Sequence, residues 1–274
     1  MMALDHKACV ARIAAGKPCH ACIDDGAFEI HIHDYVHWVC TAVHAGHRLR
    51  SELEAKCAWS EAQRRYEEDP CTDSLIADQP ITVVARDSRF EYDLNRAPGS
   101  CIHETAWGRS VWHAPLSASE RARSLEKHAG FYAVLGALYR KLESLHSAVL
   151  VYDVHAYNYR RPGMGETPVF NVGTEQIDMV RWGDHVEAWV KRLAQIRLPG
   201  IPVRAAINEV FRGRSYHATF VREKLTRTLI LPTEVKKIFM DELSGGILPE
   251  VLNPLQAALG AAMHDNAMAF LAES

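Results

Sequence analysis

The 274-residue sequence predicts a three-layer α/β/α domain built on a mixed, mostly parallel sheet. Apolar, β-branched runs of buried-strand length recur at 35–43, 80–85, 148–154, 201–207 and 229–235. Stretches with apolar residues at helical spacing alternate with them, which is the pattern of strand, helix and strand in an α/β domain. No internal repeat, heptad or low-complexity linker interrupts the pattern, and 48% hydrophobic residues can fill one large core, so a single domain over 1–274 accounts for the chain. Within it residues 1–34 stand apart, because the first 30 mix Gly, Pro, Cys and charges without a sustained period and read as a short helix followed by loop.

The first strand, Tyr35–Val43, stops at His44-Ala45-Gly46-His47. Leu53, Cys57, Ala58 and Ala62 then recur at helical spacing between Ser51 and Tyr66 and predict a helix ending in the acidic turn Glu67-Glu68-Asp69-Pro70, where Pro70 disfavours helix at Asp69. Pro80–Ala85 is a second strand and leads into the polar stretch Arg86–Arg96. Ser117–Leu145 is a long helix with Phe131, Val134, Leu135, Leu138 and Leu142 on one stripe and Ser117 or Ser119 as N-cap. Ala148–Val154 is a strand ending at His155, as the first ends at His44. Helix Trp182–Ile196, strand Ile201–Ile207, helix Tyr216–Lys224, strand Leu229–Val235 and helix Leu252–Leu271 complete the chain. Ligands of such a sheet collect at the carboxyl ends of its strands.

Charge and composition exclude several classes. Thirty-one Lys+Arg against 34 Asp+Glu give a formal charge of −3, so no global positive excess drives binding to nucleic acid or an anionic membrane. No apolar run reaches the roughly 20 residues of a spanning helix. The opening Met-Met-Ala-Leu-Asp lacks the basic-then-apolar order of a signal peptide, which makes a cytoplasmic location the expectation. The seven Cys are odd in number and all lie within the first 101 residues, so free thiols are expected. Cys19-His20-Ala21-Cys22 is a C-x-x-C that could bind metal or act in redox, or be an incidental loop, since no second pair stands at zinc-ribbon spacing.

His44 and His155 both follow apolar strands at the edge where α/β sites form, and acidic groups lie near both in sequence. Two histidines and a carboxylate make a catalytic zinc set with a fourth position for water, whereas each alone is only a polar strand end. Arg86, Arg89 and Arg96 gather with Asn95 within eleven residues. They suit a substrate carboxylate, or they form a solvated loop paired with Asp87, Glu91 and Asp93. Arg160, Arg161 and Arg212 are open to the same two readings. Glu234 in an apolar strand is either a general base lifted toward neutrality by burial or a partner of Lys236 or Lys237. Neither a glycine-rich phosphate cradle nor a G-x-S-x-G nucleophile elbow occurs.

Six motifs in order carry a resemblance: Val43-His44-Ala45-Gly46-His47-Arg48-Leu49, Glu67-Glu68-Asp69-Pro70-Cys71-Thr72-Asp73, Ser88-Arg89-Phe90-Glu91-Tyr92-Asp93-Leu94-Asn95-Arg96, Tyr152-Asp153-Val154-His155-Ala156-Tyr157-Asn158, Phe170-Asn171-Val172-Gly173-Thr174 and Thr233–Glu242. They resemble the N-formylglutamate amidohydrolase family, whose phosphorylase/hydrolase-like fold is that of zinc-dependent exopeptidases, over about residues 43 to 243. The resemblance implies one Zn2+ held by His44, His155 and an acid of the Glu67–Asp69 turn, with Glu68 and Asp69 as the two candidates. It implies Glu234 as the base acting on the attacking water, Arg89 facing the scissile carbonyl, and Asn95 with Arg96 holding the α-carboxylate. The implied activity is hydrolysis of an N-formyl- or N-acyl-amino acid, N-formyl-L-glutamate first, with a small carboxylate-bearing amide as the only implied partner. The chain departs from the family at His47, where a carboxypeptidase carries its zinc-binding glutamate, at Ala156 in place of Ser, and at Thr-Glu-Val around the base. Rival expectations are a carboxypeptidase acting on short peptides, a non-catalytic binding protein for an acidic metabolite, and a thiol redox protein using Cys19 and Cys22.

Overall fold

The computed structural model describes residues 1–273. In chain order the elements are β1 (Met2–Leu4), α1 (His6–Ala14), β2 (Cys19–Ile23), β3 (Phe28–Ile32), β4 (Trp38–Ala42), α2 (Ser51–Glu54), α3 (Glu61–Glu67), α4 (Thr72–Leu75), β5 (Ile81–Ala85) and the short β6 (Thr105–Ala106) and β7 (Arg109–Ser110). There follow α5 (Ala118–Leu145), β8 (Val149–Tyr157), β9 (Phe170–Val172), α6 (Met179–Ala194), β10 (Ala205–Ile207), α7 (Tyr216–Lys224), β11 (Thr228–Lys236) and α8 (Pro249–Glu273).

Nine strands form one sheet in the order β1-β2-β3-β5-β4-β8-β11-β9-β10, while β6 and β7 pair apart from it. The pairs β1–β2, β4–β5, β4–β8, β8–β11 and β9–β10 run parallel, and β2–β3, β3–β5 and β9–β11 run antiparallel. The sheet is thus mixed and mostly parallel, as the alternation of strand and helix predicts. Period-two geometry divides β8 between two cores. Leu150, Tyr152, Val154 and Ala156 join Trp182, Trp189, Leu193, Leu259 and Met263 of α6 and α8 on one face. Val149 and Val151 join Cys9, Ile13, Phe131, Leu138, Leu142 and Val221 of α1, α5 and α7 on the other. Two polar ties fix the layers: Trp189 Nε1 donates to Thr233 Oγ1 at 3.0 Å, and Tyr152 OH donates to the Met263 carbonyl at 2.8 Å.

Several boundaries differ from the sequence expectation. The helix expected over 51–66 is broken into α2 and α3, because Ser60 and Gln63 form a reciprocal capping box that restarts the helix. Between the two, the Ala58 N–H donates to the Val111 carbonyl at 2.8 Å instead of continuing the helical ladder. The segment read as loop after α1 is the hairpin β2–β3, with Cys19, Ala21, Ile23, Phe28, Ile30 and Ile32 buried and His20, Cys22, Glu29 and His31 turned the other way. The strand expected over 201–207 shortens to Ala205–Ile207, and β9 was not expected as a strand. His155 lies within β8 instead of following it, and Glu234 lies within β11 as the strand expected over 229–235 places it. Ser117, not Ser119, caps α5, accepting from the Glu120 N–H while Glu120 bonds back.

Candidate active site

β4, β8 and β11 are neighbours in the sheet, and their carboxyl-terminal halves bring three polar side chains to one place. His155 pairs in register with Glu234 on β11, and Glu234 pairs with Asn171 on β9. His44 stands two residues past β4. The Asp69 N–H donates to the His44 carbonyl at 3.0 Å, which lays the turn after α3 over the end of β4. Pro70 and Cys71, the latter left-handed at φ 68°, turn the chain away from α3. The buried Lys237 ammonium clamps the same turn from below, donating to the carbonyls of Tyr66 at 2.9 Å and Glu68 at 2.7 Å.

This frame gathers His44, Asp69 and His155, all buried, with one nitrogen or oxygen of each within 4.8 Å of the others. Asp69 Oδ2 lies 3.5 Å from His44 Nδ1 and 3.1 Å from His155 Nδ1. The far nitrogen of each ring meets a second buried carboxylate: His44 Nε2 is 2.8 Å from Asp93 Oδ1, and His155 Nε2 is 3.1 Å from Asp153 Oδ2. These outer acids are held in turn. Asp93 accepts from Arg89 Nη2 at 2.8 Å and lies 3.2 Å from His103 Nε2, while Asp153 accepts from Thr41 Oγ1 at 2.7 Å and lies 3.1 Å from His217 Nδ1. Burial alone would raise both acids, but Arg89 and His44 around Asp93, and His217 and His155 around Asp153, hold them well below the usual carboxylate range. A carboxylate behind each imidazole fixes its tautomer and presents the opposite nitrogen, the arrangement found behind metal-binding histidines. The donor set of two imidazoles and one carboxylate fits a divalent ion of the zinc type.

Of the two acids left open by the sequence, only Asp69 reaches this group. Glu68 is buried against Ser88 and His47, whose Oγ and Nδ1 occupy its two carboxylate oxygens, so its side chain points away from His44 and His155. Glu234 joins the cluster. Burial lifts its carboxyl to about 7, against the pull of His155, with Asp69 adding to the rise and His44 and Arg89 opposing it. Neither Lys236 nor Lys237 pairs with it, since Lys236 Nζ donates to the Thr167 carbonyl and Lys237 is engaged as above. Arg89 bonds Asp93, and its buried Nε has no partner. Asn95 keeps an unpartnered buried Oδ1, and the exposed Arg96 side chain makes one bond, to the Asn95 carbonyl.

Arg86 leaves this set, because its guanidinium spans Asp73 and Glu29 at 2.7 and 2.8 Å. Arg160 pairs at the surface with Asp241, while Arg161 reaches the site and pairs with Glu67 at 2.5 Å. The cysteines are free. Cys19 packs into the core and Cys22 points out from the opposite side of β2, so the C-x-x-C spacing places its thiols on opposite faces of a strand. That geometry removes the structural basis for Cys19 and Cys22 acting as one dithiol.

A cavity of about 850 Å³ opens over these groups, lined among others by His44, Asp69, Arg89, His155 and Glu234. The long helix α5 supports its wall: Lys127 Nζ donates to Asp87 at 2.7 Å and Glu91 at 3.2 Å, and His128 Nε2 is 2.9 Å from the Arg96 carbonyl. Trp107 also lines the cavity, at the left-handed Trp107-Gly108 turn between β6 and β7, stacked on Phe90 at 5.6 Å. Asp93, His103, Trp107, Asp153 and Lys237 belong to the site or its support, a role that no sequence pattern assigns to them, while Arg161 and Arg212, open to two readings in the sequence, both line the cavity. Asp153, a carboxylate within the apolar run 148–154, was the one with a usable signal, because a buried acid demands a partner.

The family model for N-formylglutamate amidohydrolase matches residues 36–230. No curated protein matches the sequence. Among solved structures, N-formylglutamate amidohydrolase from Ralstonia eutropha JMP134 superposes with TM-score 0.70 at 16% identity, covering 90% of this chain and 98% of that one. The gene product Atu2144 from Agrobacterium tumefaciens gives TM-score 0.66 at 16% identity, covering 90% and 95%. A metallo-carboxypeptidase from Burkholderia cenocepacia gives TM-score 0.40 at 14% identity, covering 89% and 62%. At 16% identity the first two superpositions speak for the fold alone, whereas the family model spans most of the chain, and the protein therefore belongs to the N-formylglutamate amidohydrolase family.

Proposed function

We propose that this chain hydrolyses the amide of an N-formyl- or N-acyl-amino acid, with N-formyl-L-glutamate as the first substrate, by a metal-assisted attack of water. The observation that carries the reading is the buried His44, Asp69 and His155 group with Glu234 beside it under one cavity. His44, Asp69 and His155 would hold the metal, zinc by donor type. When bound, the ion would supply Lewis acidity toward the amide carbonyl and lower the pKa of the attacking water.

Glu234 takes the proton of that water on its carboxylate and passes it to the departing amine nitrogen, for which a carboxyl lifted toward neutrality is suited. Arg89, fixed by Asp93 and with Nε unspent, donates to the oxygen on which negative charge develops. Asn95 and Arg96 orient the substrate through its α-carboxylate, the Arg96 guanidinium donating beyond its one bond to the Asn95 carbonyl and the Asn95 side-chain N–H groups donating beside it. Trp107 sits over the cavity rim and, stacked on Phe90, restricts water near the reacting amide.

The outer acids make their own prediction. Asp153→Asn keeps the size of the side chain but removes the charge facing His155 Nε2, so metal affinity is expected to fall 10- to 100-fold, as is typical for such supporting carboxylates. Competition against a chromogenic chelator measures it, and an unchanged affinity would remove Asp153 from support of the site.

The functional reading is tested by following formate release from N-formyl-L-glutamate alongside amino-acid release from N-acyl dipeptides, using metal-loaded protein. Formate release with the dipeptides left intact supports the proposal. Cleavage of the dipeptides alone would favour a carboxypeptidase, and saturable binding of L-glutamate without cleavage of either would favour a binding protein.

A further inference from the structure

The cavity carries six cationic side chains besides its histidines, and they differ in whether they are already neutralised. Arg89 is paired with Asp93, Arg161 with Glu67 and Arg214 with Glu175, at 2.8, 2.5 and 2.6 Å. Lys237 is committed to two backbone carbonyls. Among the described residues this leaves two lining guanidinium groups without a carboxylate: Arg96, assigned above to the α-carboxylate, and Arg212.

The backbone on both sides of Arg212 is tied to neighbouring segments. Asn171 Oδ1 accepts the N–H groups of Glu209 and Val210 at 2.8 and 2.9 Å, and its Nδ2 donates to the Phe211 carbonyl at 2.8 Å. The Glu175 N–H donates to the Arg212 carbonyl at 2.8 Å. Gly213, at φ 74°, lies so close to Gly173 that a Cβ on Gly173 would come within 2.4 Å of the Gly213 nitrogen, so the two segments touch backbone to backbone. The Tyr216 N–H then donates to the Asn95 carbonyl at 3.0 Å, joining this wall of the cavity to the Asn95–Arg96 wall. A fixed backbone with an uncommitted guanidinium is a preorganised receptor for an anion.

We propose that Arg212 receives the side-chain carboxylate of the substrate's amino-acid half, and so sets the preference for acidic over neutral side chains. The inference rests on the amidohydrolase reading. It assigns Arg96 and Arg212 to different carboxylates of one substrate, which requires a substrate with two.

The test compares N-formyl-L-glutamate with N-formyl-L-glutamine, which has nearly the same shape and lacks the charge, using metal-loaded wild type, Arg212→Ala and Arg212→Lys. L-Glutamate and L-glutamine binding to the same proteins is measured by calorimetry. Arg212→Ala is expected to lower kcat/KM for the glutamate compound roughly 10- to 100-fold, the range of a charged hydrogen-bonded contact, and to change the glutamine compound by less than about threefold. Arg212→Lys recovers part of the loss. Equal losses on both compounds, or no loss on either, would overturn the assignment. If wild type releases formate from neither compound, the hydrolytic reading fails and calorimetry decides alone: a glutamate preference abolished in Arg212→Ala upholds the assignment, and a preference that is unchanged or absent in wild type overturns it.

Discussion

Glu234→Gln is expected to bind metal as wild type does and to lose roughly 10²- to 10⁴-fold in turnover, the span attributed to a positioned general base. The substitution keeps the size and polarity of a side chain that sits in register with His155, so the sheet and the group of His44, Asp69 and His155 are left in place. What disappears is a carboxylate able to accept a proton. Because burial lifts this carboxyl to about 7, its base form is lost as pH falls through that region, and wild-type activity declines on the acid side. The charge of a bound cation moves that limb to lower pH, and the limb is absent from whatever activity Glu234→Gln retains. Formate release and metal content measured on one preparation check both halves. A variant with full turnover would remove Glu234 from the reaction.

Asp69→Ala and Glu68→Gln are expected to part completely, although the residues are adjacent. Asp69 is the only carboxylate of that turn whose oxygen lies within 3.5 Å of both His44 and His155, so its removal abolishes metal binding and with it activity. Glu68 contacts Ser88 and His47 instead, and Glu68→Gln retains the metal while lowering thermal stability through the loss of those bonds. Metal content by elemental analysis, with circular dichroism to establish folding, separates the two. Metal retained in folded Asp69→Ala would require a different carboxylate in the site.

The contrast between these neighbours shows where the sequence stops being legible. His44 and His155 could be paired on paper because both close apolar strands, and the carboxyl edge of an α/β sheet is where such residues meet. The choice between Glu68 and Asp69 depends on the rotation of one turn. That rotation is set by the left-handed backbone of Cys71, by Lys237 from beyond β11 and by His47 and Ser88 accommodating Glu68, the last three being contacts about twenty residues or more away in sequence that no local pattern reports. Arg86 and Arg89 are three residues apart and read alike. The strand end at Ala85 sends Arg86 toward Glu29 and Asp73 and leaves Arg89 to the cavity.

The fold divides in the same way. Long elements, α5 and β8 above all, follow from the apolar stripe over 131–142 in the one and the continuous apolar run in the other. The hairpin β2–β3 does alternate buried and turned-out residues, but its outward positions hold His, Cys and Glu among Gly and Pro nearby, and the short strands lack the continuously buried run of β4 or β8. The break between α2 and α3 needed the Ala58 to Val111 bond, which joins positions more than fifty residues apart.

The central claim, one metal ion held by His44, Asp69 and His155 and required for amide hydrolysis, is tested most directly by titrating zinc into chelator-stripped wild-type protein while following formate release from N-formyl-L-glutamate. Activity is expected to rise in proportion to added zinc and to level at one equivalent per chain, with no rise in His155→Ala of intact fold. Formate release that is independent of metal, or none at any zinc loading, would contradict the claim.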